Sequence, residues 1–133
     1  MANETRVPIM SALDIVTARQ KGRSLATEMG FEGAEATLIA AAISEVARNI
    51  VEYAKAGEII LQSENHGSKH GLCVVARDQG PGIADVTQAM QYGFSSRRGL
   101  GVGLPGAKLL MDEFDITSKV GVGTTIRMKK WLH

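Results

Sequence analysis

The spacing of apolar residues predicts four helices. Between residues 34 and 54, apolar side chains recur every three or four positions, which indicates a helix with one face in a core. The members of this stripe are Leu38, Ile39, Ala42, Ile43, Val46, Ile50 and Tyr53. An earlier helix is expected to begin after Ser11, with Asp14 completing a capping box, and to end at Gly30. Shorter helices are predicted at about 85–91 and 104–111.

Short runs rich in branched apolar residues predict five strands. They cover residues 5–9, 58–62, 71–78, 114–118 and 124–129. Residues 65–70 contain glycine and asparagine, so the second and third strands are predicted to form a hairpin through them. Because strands adjacent in sequence tend to pair antiparallel, we expect an α/β (α+β) two-layer sandwich. Its sheet would be mixed and mostly antiparallel, with the helices on one face.

The size and composition of the chain narrow the classes of function. No linker or repeat divides the 133 residues, so a single domain over 1–133 is expected. Fifteen basic and fourteen acidic residues give a net charge of +1, which does not favour nucleic acid as a partner. No apolar run is long enough to cross a membrane, and the amino terminus lacks the apolar stretch of a signal peptide. We therefore expect a cytoplasmic protein without a membrane partner.

A glycine-rich segment, RRGLGVGLPG at 97–106, ends in the pattern G-x-G-x-x-G. The segment before it does not resemble a buried strand, and no βαβ unit follows, so the dinucleotide-binding interpretation fails. The other motifs of a eukaryotic-type protein kinase are also missing. Glycines still let backbone N–H groups approach an anion, and the predicted helix that follows offers its positive end. Phosphate binding therefore remains, with a flexible surface loop as the alternative.

Two further motifs carry polar groups suited to nucleotide chemistry. Glu45 and Asn49 are four residues apart on the predicted second helix and share one face. A carboxylate can accept a proton from a hydroxyl, and an amide oxygen can bind Mg²⁺. Asp78 ends an apolar strand and is followed by Gly80, Pro81 and Gly82, which predict a sharp turn. At a pocket wall, Asp78 can accept a hydrogen bond from an exocyclic amine such as that of adenine.

The three motifs together, E-x-x-R-N at 45–49, D-x-G-x-G-I at 78–83 and G-x-G-x-G at 99–103, resemble the GHKL ATPase superfamily in order and spacing. This superfamily includes gyrase, Hsp90, histidine kinases and bacterial anti-sigma kinases. Within it, nearly the whole chain is similar to the serine/threonine kinases of the stressosome. The resemblance implies a Bergerat-type ATP-binding fold, with ATP and Mg²⁺ as cofactors.

The resemblance also implies roles for individual residues. Glu45 corresponds to the catalytic base, Asn49 to the Mg²⁺ ligand, and Asp78 to the acid that reads adenine. The remaining positions implied to contact the nucleotide are Gly80 and Gly82 at the adenine pocket, Gly99, Gly101 and Gly103 in an ATP lid over about 90–103, and Thr124 or Thr125 behind Asp78. Four basic residues can add positive charge near the phosphates, and the sequence does not choose among them: Arg48, Arg97, Arg98 and Lys108.

The partners are implied in the same way. The resemblance implies phosphorylation of STAS-domain scaffold proteins of the RsbS and RsbR type, followed by release and activation of an RsbU-like phosphatase. The alternative is an anti-sigma factor kinase of the RsbW or SpoIIAB type, which also sequesters a sigma factor.

Overall fold

The computed structural model describes residues 4–83, 90 and 103–132. Its elements, in chain order, are β1 (Glu4–Ile9), α1 (Ala12–Met29), α2 (Gly33–Asn49) with a π-helical turn (Ile50–Ala54), β2 (Gly57–His66), β3 (Lys69–Asp78), α3 (Gly103–Leu110), β4 (Glu113–Lys119) and β5 (Gly123–Trp131). Apart from residue 90, the helix predicted at 85–91 lies outside the described residues.

The five strands form one sheet in the order β1-β2-β3-β5-β4. All four of its strand pairs are antiparallel. The β2–β3 hairpin is confirmed, but its turn is shorter than predicted, because the pairing continues to His66 opposite Lys69. Gly67 and Ser68 alone make the turn, which Gly67 permits with a φ of 64°.

The capping box predicted for α1 is present. One oxygen of the Asp14 carboxylate, Oδ2, accepts the backbone N–H groups of Met10, at 2.8 Å, and Ser11, at 3.1 Å. Gly30 ends the helix with a φ of 106° and donates its N–H to the carbonyl of Thr27. The capping residues thus fix both ends of α1.

The core lies between the helices and one face of the sheet, which confirms the two-layer arrangement. Alternate strand residues point into it, among them Ile59, Leu61, Val74 and Met128. The residues between them point away from the helices, and several of these form ion pairs on the other face. No helix in the described part of the chain combines the length and apolar character needed to span a membrane.

Helix α2 supplies the centre of this core, although its buried face does not include every residue of the predicted stripe. Ile39, Ile43 and Val46 are buried, whereas Leu38 and Tyr53 are 39% and 38% exposed. Leu38 lies at the flank of the stripe, one residue or about 100° from Ile39. Tyr53 falls in the π-helical turn, whose wider winding moves it off the line set by the α-helical period. The prediction that both belong to the core was therefore wrong.

Candidate active site

Asp78 is a buried carboxylate at the end of β3. Its Oδ1 accepts the backbone N–H of Gly80, at 2.9 Å, and that of Thr124 on the neighbouring strand β5, at 3.3 Å. Its other oxygen, Oδ2, has no hydrogen-bond partner among residues 4–83, 90 and 103–132. The strand register and the turn together hold the side chain in place and leave Oδ2 able to accept a hydrogen bond.

A pair of hydroxyl groups next to Asp78 connects the following turn to the sheet. The hydroxyls of Ser118 and Thr124 are 2.7 Å apart, and the backbone N–H of Ile83 donates to Ser118 Oγ, also at 2.7 Å. Ser118 was not predicted from the sequence, because the residues next to it form no motif that indicates a site. Only the β4–β5 register, which places it opposite Thr124, brings it to the site.

The same register separates the two candidate threonines. Thr124 is buried beside Asp78. Thr125 pairs with Arg77 and Thr117, and it points to the opposite face because side chains alternate along a strand. Of the two, only Thr124 is brought to the site.

The two glycines after Asp78 allow close packing of the turn. A Cβ at Gly80 would lie 2.5 Å from the Cβ of Ala54, so only glycine lets the turn pack against the π-helical end of α2. Gly82 has a φ of 79°, and a Cβ there would collide with the carbonyl of Lys119. The turn is thus packed between α2 and the end of β4.

Glu45 joins two motifs that are distant in sequence. Its Oε1 accepts the backbone N–H of Gly103 at 3.1 Å, and Gly103 is the first residue of α3. Arg48, one turn along α2, places Nη1 3.1 Å from each carboxylate oxygen. The carboxylate therefore lies between the guanidinium of Arg48 and the amino end of α3.

Asn49 is half-buried at the last α-helical position of α2, one turn beyond Glu45. Its amide makes no hydrogen bond to any residue that the structure describes. The π-helical turn begins immediately after it, and such turns occur often at functional sites.

The other residues predicted to lie near the phosphates differ in their positions. Gly103 is at the site, whereas Gly99, Gly101, Arg97 and Arg98 lie outside the described residues. Arg48 is engaged by Glu45. Lys108 is exposed near the carboxyl end of α3, at the opposite end of the helix from Gly103.

Comparisons with known proteins show which family the chain belongs to. Residues 11–130 match the family described as the histidine kinase-like ATPase domain. The chain is 49% identical to the serine/threonine-protein kinase RsbT of Bacillus subtilis over the full length of both chains. It is 33% identical over 100 residues to an anti-sigma F factor of a Thermoanaerobacter species, covering 71% of this chain and 68% of that one.

A solved structure has a similar fold at low sequence identity. The crystal structure of the RsbU and RsbW domains of a Mycobacterium tuberculosis protein superposes with a TM-score of 0.61 at 22% identity. The match covers 98% of this chain and 31% of that longer one. The chain belongs to the histidine kinase-like ATPase domain family, and within it to the serine/threonine-protein kinases of the RsbT type.

Proposed function

We propose that this kinase binds Mg-ATP and transfers the γ-phosphoryl group to a serine or threonine of a STAS-domain scaffold protein of the RsbS or RsbR type. The observation that carries the proposal is the hydrogen bond between Glu45 and the N–H of Gly103. It places a carboxylate at the amino end of α3, where a phosphate chain would also be stabilised.

Asp78 would hold the adenine. Its Oδ1 is satisfied by two backbone N–H groups, which fix the carboxylate without consuming Oδ2. Oδ2 can accept a hydrogen bond from the exocyclic amine of adenine, and this polar contact would orient the base in the pocket. Thr124 and Ser118 support this arrangement from β5 and β4.

Asn49 would provide the protein ligand to Mg²⁺. No cluster of three or more histidine, cysteine, aspartate or glutamate side chains suited to a metal is found in the described part of the chain. A site with one amide oxygen, phosphate oxygens and water fits the coordination habits of Mg²⁺. When bound, the ion would neutralise charge on the phosphates.

Glu45 would act as the base. The acceptor oxygen would attack the γ-phosphorus, its proton would pass to a carboxylate oxygen of Glu45, and the bond from the γ-phosphorus to the bridging oxygen of ADP would break. Phosphate oxygens would take the N–H of Gly103 that Glu45 now accepts, with Gly99 and Gly101 contributing from the same segment. Arg48 would then keep the carboxylate in place.

Incubation of the purified protein with a scaffold of this type and γ-labelled Mg-ATP tests the proposal. We expect acid-stable phosphoserine or phosphothreonine on the scaffold, followed by release of the kinase and activation of an RsbU-like phosphatase. A scaffold that remains unlabelled, under conditions where the kinase binds ATP, would exclude it as the substrate.

A second candidate function is an anti-sigma factor of the RsbW or SpoIIAB type. The identity to the anti-sigma F factor of Thermoanaerobacter favours it, although the match is shorter and weaker than that to RsbT. Capture of a sigma subunit by the tagged protein in the presence of ATP, without labelling of a STAS protein in the same mixture, would establish this function instead.

A further inference from the structure

A groove of about 510 Å³ runs along the outer side of the helical layer, between α1 and α2. Residues of α1 form one wall and residues of α2 form the other. The polar and charged side chains along it are Arg19, Gln20 and Arg23 from α1 and Thr37, Ser44 and Glu45 from α2. The groove therefore reaches the side chain proposed as the base.

The packing of the two helices sets the order of these side chains along the groove. Residues 30–32 join α1 to α2, so the helices form an antiparallel pair. Gly22 of α1 packs directly against the side chain of Ile43. Arg19 therefore lies nearer to Glu45, and Arg23 lies further along, toward Thr37.

The groove has room for a short peptide segment. Eight helical positions separate Thr37 from Glu45, which corresponds to a length of about 12 Å. An extended chain advances about 3.3 Å per residue, so about four residues would fill it. An acceptor hydroxyl at the Glu45 end would then be followed or preceded by side chains within reach of both arginines.

The charges in the groove specify what kind of segment fits. Arg19 and Arg23 are exposed, and neither makes an ion pair or hydrogen bond to any residue within 4–83, 90 and 103–132. Elsewhere in this part of the chain, Arg6, Arg48 and Arg77 all pair with glutamates. The groove thus presents two cations whose charge is not balanced by the described structure, beside a glutamate that Arg48 already neutralises.

Glu45 connects the groove to the nucleotide site. Neither Asn49 nor Asp78 lines the groove, whereas Glu45 does. A base in phosphoryl transfer has to contact the acceptor hydroxyl on one side while the phosphate chain lies on the other. Glu45 lines both the groove and the nucleotide site, as a base for this reaction must.

We propose that the groove between α1 and α2 binds the acceptor segment of the protein substrate in an extended form. The acceptor hydroxyl lies at the Glu45 end, and acidic side chains within about four residues of it pair with Arg19 and Arg23. This proposal rests on the proposed kinase function and adds to it the docking surface and an acidic character of the segment recognised.

The test compares two charge reversals on the same helix. The double variant Arg19→Glu/Arg23→Glu changes the groove, whereas Lys21→Glu reverses an exposed charge on α1 that does not line it. We measure the affinity for Mg-ATP by calorimetry and the rate of labelling of the purified STAS-domain scaffold. The double variant should bind Mg-ATP as the wild type does but lose about tenfold or more in kcat/KM for the scaffold, mainly through KM. Lys21→Glu should retain both properties.

A compensating change strengthens the comparison. Replacing the acidic residues nearest the acceptor in the scaffold by lysine should restore labelling by the double variant and weaken labelling by the wild type. Equal labelling of the unmodified scaffold by the wild type and the double variant would overturn the groove proposal and leave the kinase function standing. Equal losses in the double variant and Lys21→Glu would overturn it too, since a general charge effect would then explain both.

Two other outcomes are distinguished by the same materials. If the wild type binds Mg-ATP but never labels the scaffold, the proposed substrate is wrong, and the docking proposal fails with it. If sedimentation shows that the double variant dissociates a dimer of the wild type, the groove is an interface between two copies of the chain, and the docking proposal is overturned.

Discussion

The backbone N–H of Gly103 donates a hydrogen bond to Oε1 of Glu45, and the two atoms are 3.1 Å apart. This contact joins helix α2 to the last glycine of the G-x-G-x-G segment. It places a carboxylate where the amino end of α3 exposes its positive charge, and Arg48 supports it from one turn along α2. In the proposed site, a phosphate chain would compete with this carboxylate for the same N–H group.

Replacement of Glu45, the proposed base, should separate nucleotide binding from phosphoryl transfer. Glu45→Gln keeps an oxygen that can accept the N–H of Gly103 but cannot take a proton from the acceptor. We expect the rate of phosphoryl transfer to fall by about 100-fold or more, with the affinity for Mg-ATP nearly unchanged. Single-turnover labelling and calorimetry measure the two quantities. A variant that labels the scaffold at the wild-type rate would show that Glu45 is not the base.

Exchange of Asp78, the acid proposed to read adenine, should alter the preference among nucleotides. In Asp78→Asn, the amide oxygen can still accept the N–H groups of Gly80 and Thr124. The NH₂ group then points toward the position proposed for adenine. Loss of a hydrogen bond to a charged acceptor should weaken ATP binding by about 2 kcal/mol, close to 30-fold. The NH₂ group would instead suit the carbonyl of guanine, so the preference for ATP over GTP should shrink. An unchanged ratio of the two affinities would argue against contact between Asp78 and the base.

Ser118 should support the adenine site indirectly. Ser118→Ala leaves the N–H of Ile83 without its acceptor and removes the partner of the Thr124 hydroxyl. We expect the free energy of unfolding to fall by about 1–2 kcal/mol and nucleotide binding to weaken. Thr117→Ala is the matched control, because it removes a hydroxyl from the neighbouring, exposed position of β4. Equal effects of the two substitutions in urea unfolding would refute a special role for Ser118.

An ion-pair network on the outer face of the sheet should make stability depend on pH. Glu58 accepts hydrogen bonds from Arg77 and Arg6, and together with their positive charges these hold the pKa of its carboxyl below the ordinary value of 4.5. Because the folded-state pKa is lowered, the contribution is present above pH 4.5 and is lost as the pH falls through the folded-state value. Because the side chains of Arg6 and Arg77 are about half-exposed, this contribution to the free energy of unfolding is about 1 kcal/mol or less.

Comparison of the wild type with Glu58→Gln measures this contribution. The wild type should be more stable at pH 7, and the difference should shrink below pH 4.5 and disappear once the pH has fallen below the lowered folded-state pKa of Glu58. A difference that persists at the lower pH would have to come from packing of the side chain rather than from its charge.

The elements and motifs that depend on neighbouring residues could be predicted from the sequence, and those that depend on strand register could not. The helical period places Glu45 and Asn49 on one face, and the run from Asp78 to Gly82 indicates its own turn. By contrast, Ser118 and the choice between Thr124 and Thr125 follow only from the pairing of β3, β4 and β5.

Contacts between distant parts of the chain could not be predicted either, because they also depend on how the elements pack together. Nothing near Glu45 in the sequence indicates that it accepts the N–H of Gly103, or that Ala54 needs a glycine at position 80. The exposure of Tyr53 had a different cause, since the period of an α-helix was extended through a turn that is wound as a π-helix. The fold was therefore predictable as a class, while the assembled site depends on tertiary contacts.

We propose above all that Asp78, Asn49 and the amino end of α3 together hold Mg-ATP. Calorimetric titration of the purified protein with ATP, in the presence and absence of Mg²⁺, tests it most directly. We predict saturable binding of one nucleotide per chain that weakens when Mg²⁺ is withheld. If protein shown to be folded gives no heat of binding on titration with ATP in the presence of Mg²⁺, the proposed site is contradicted.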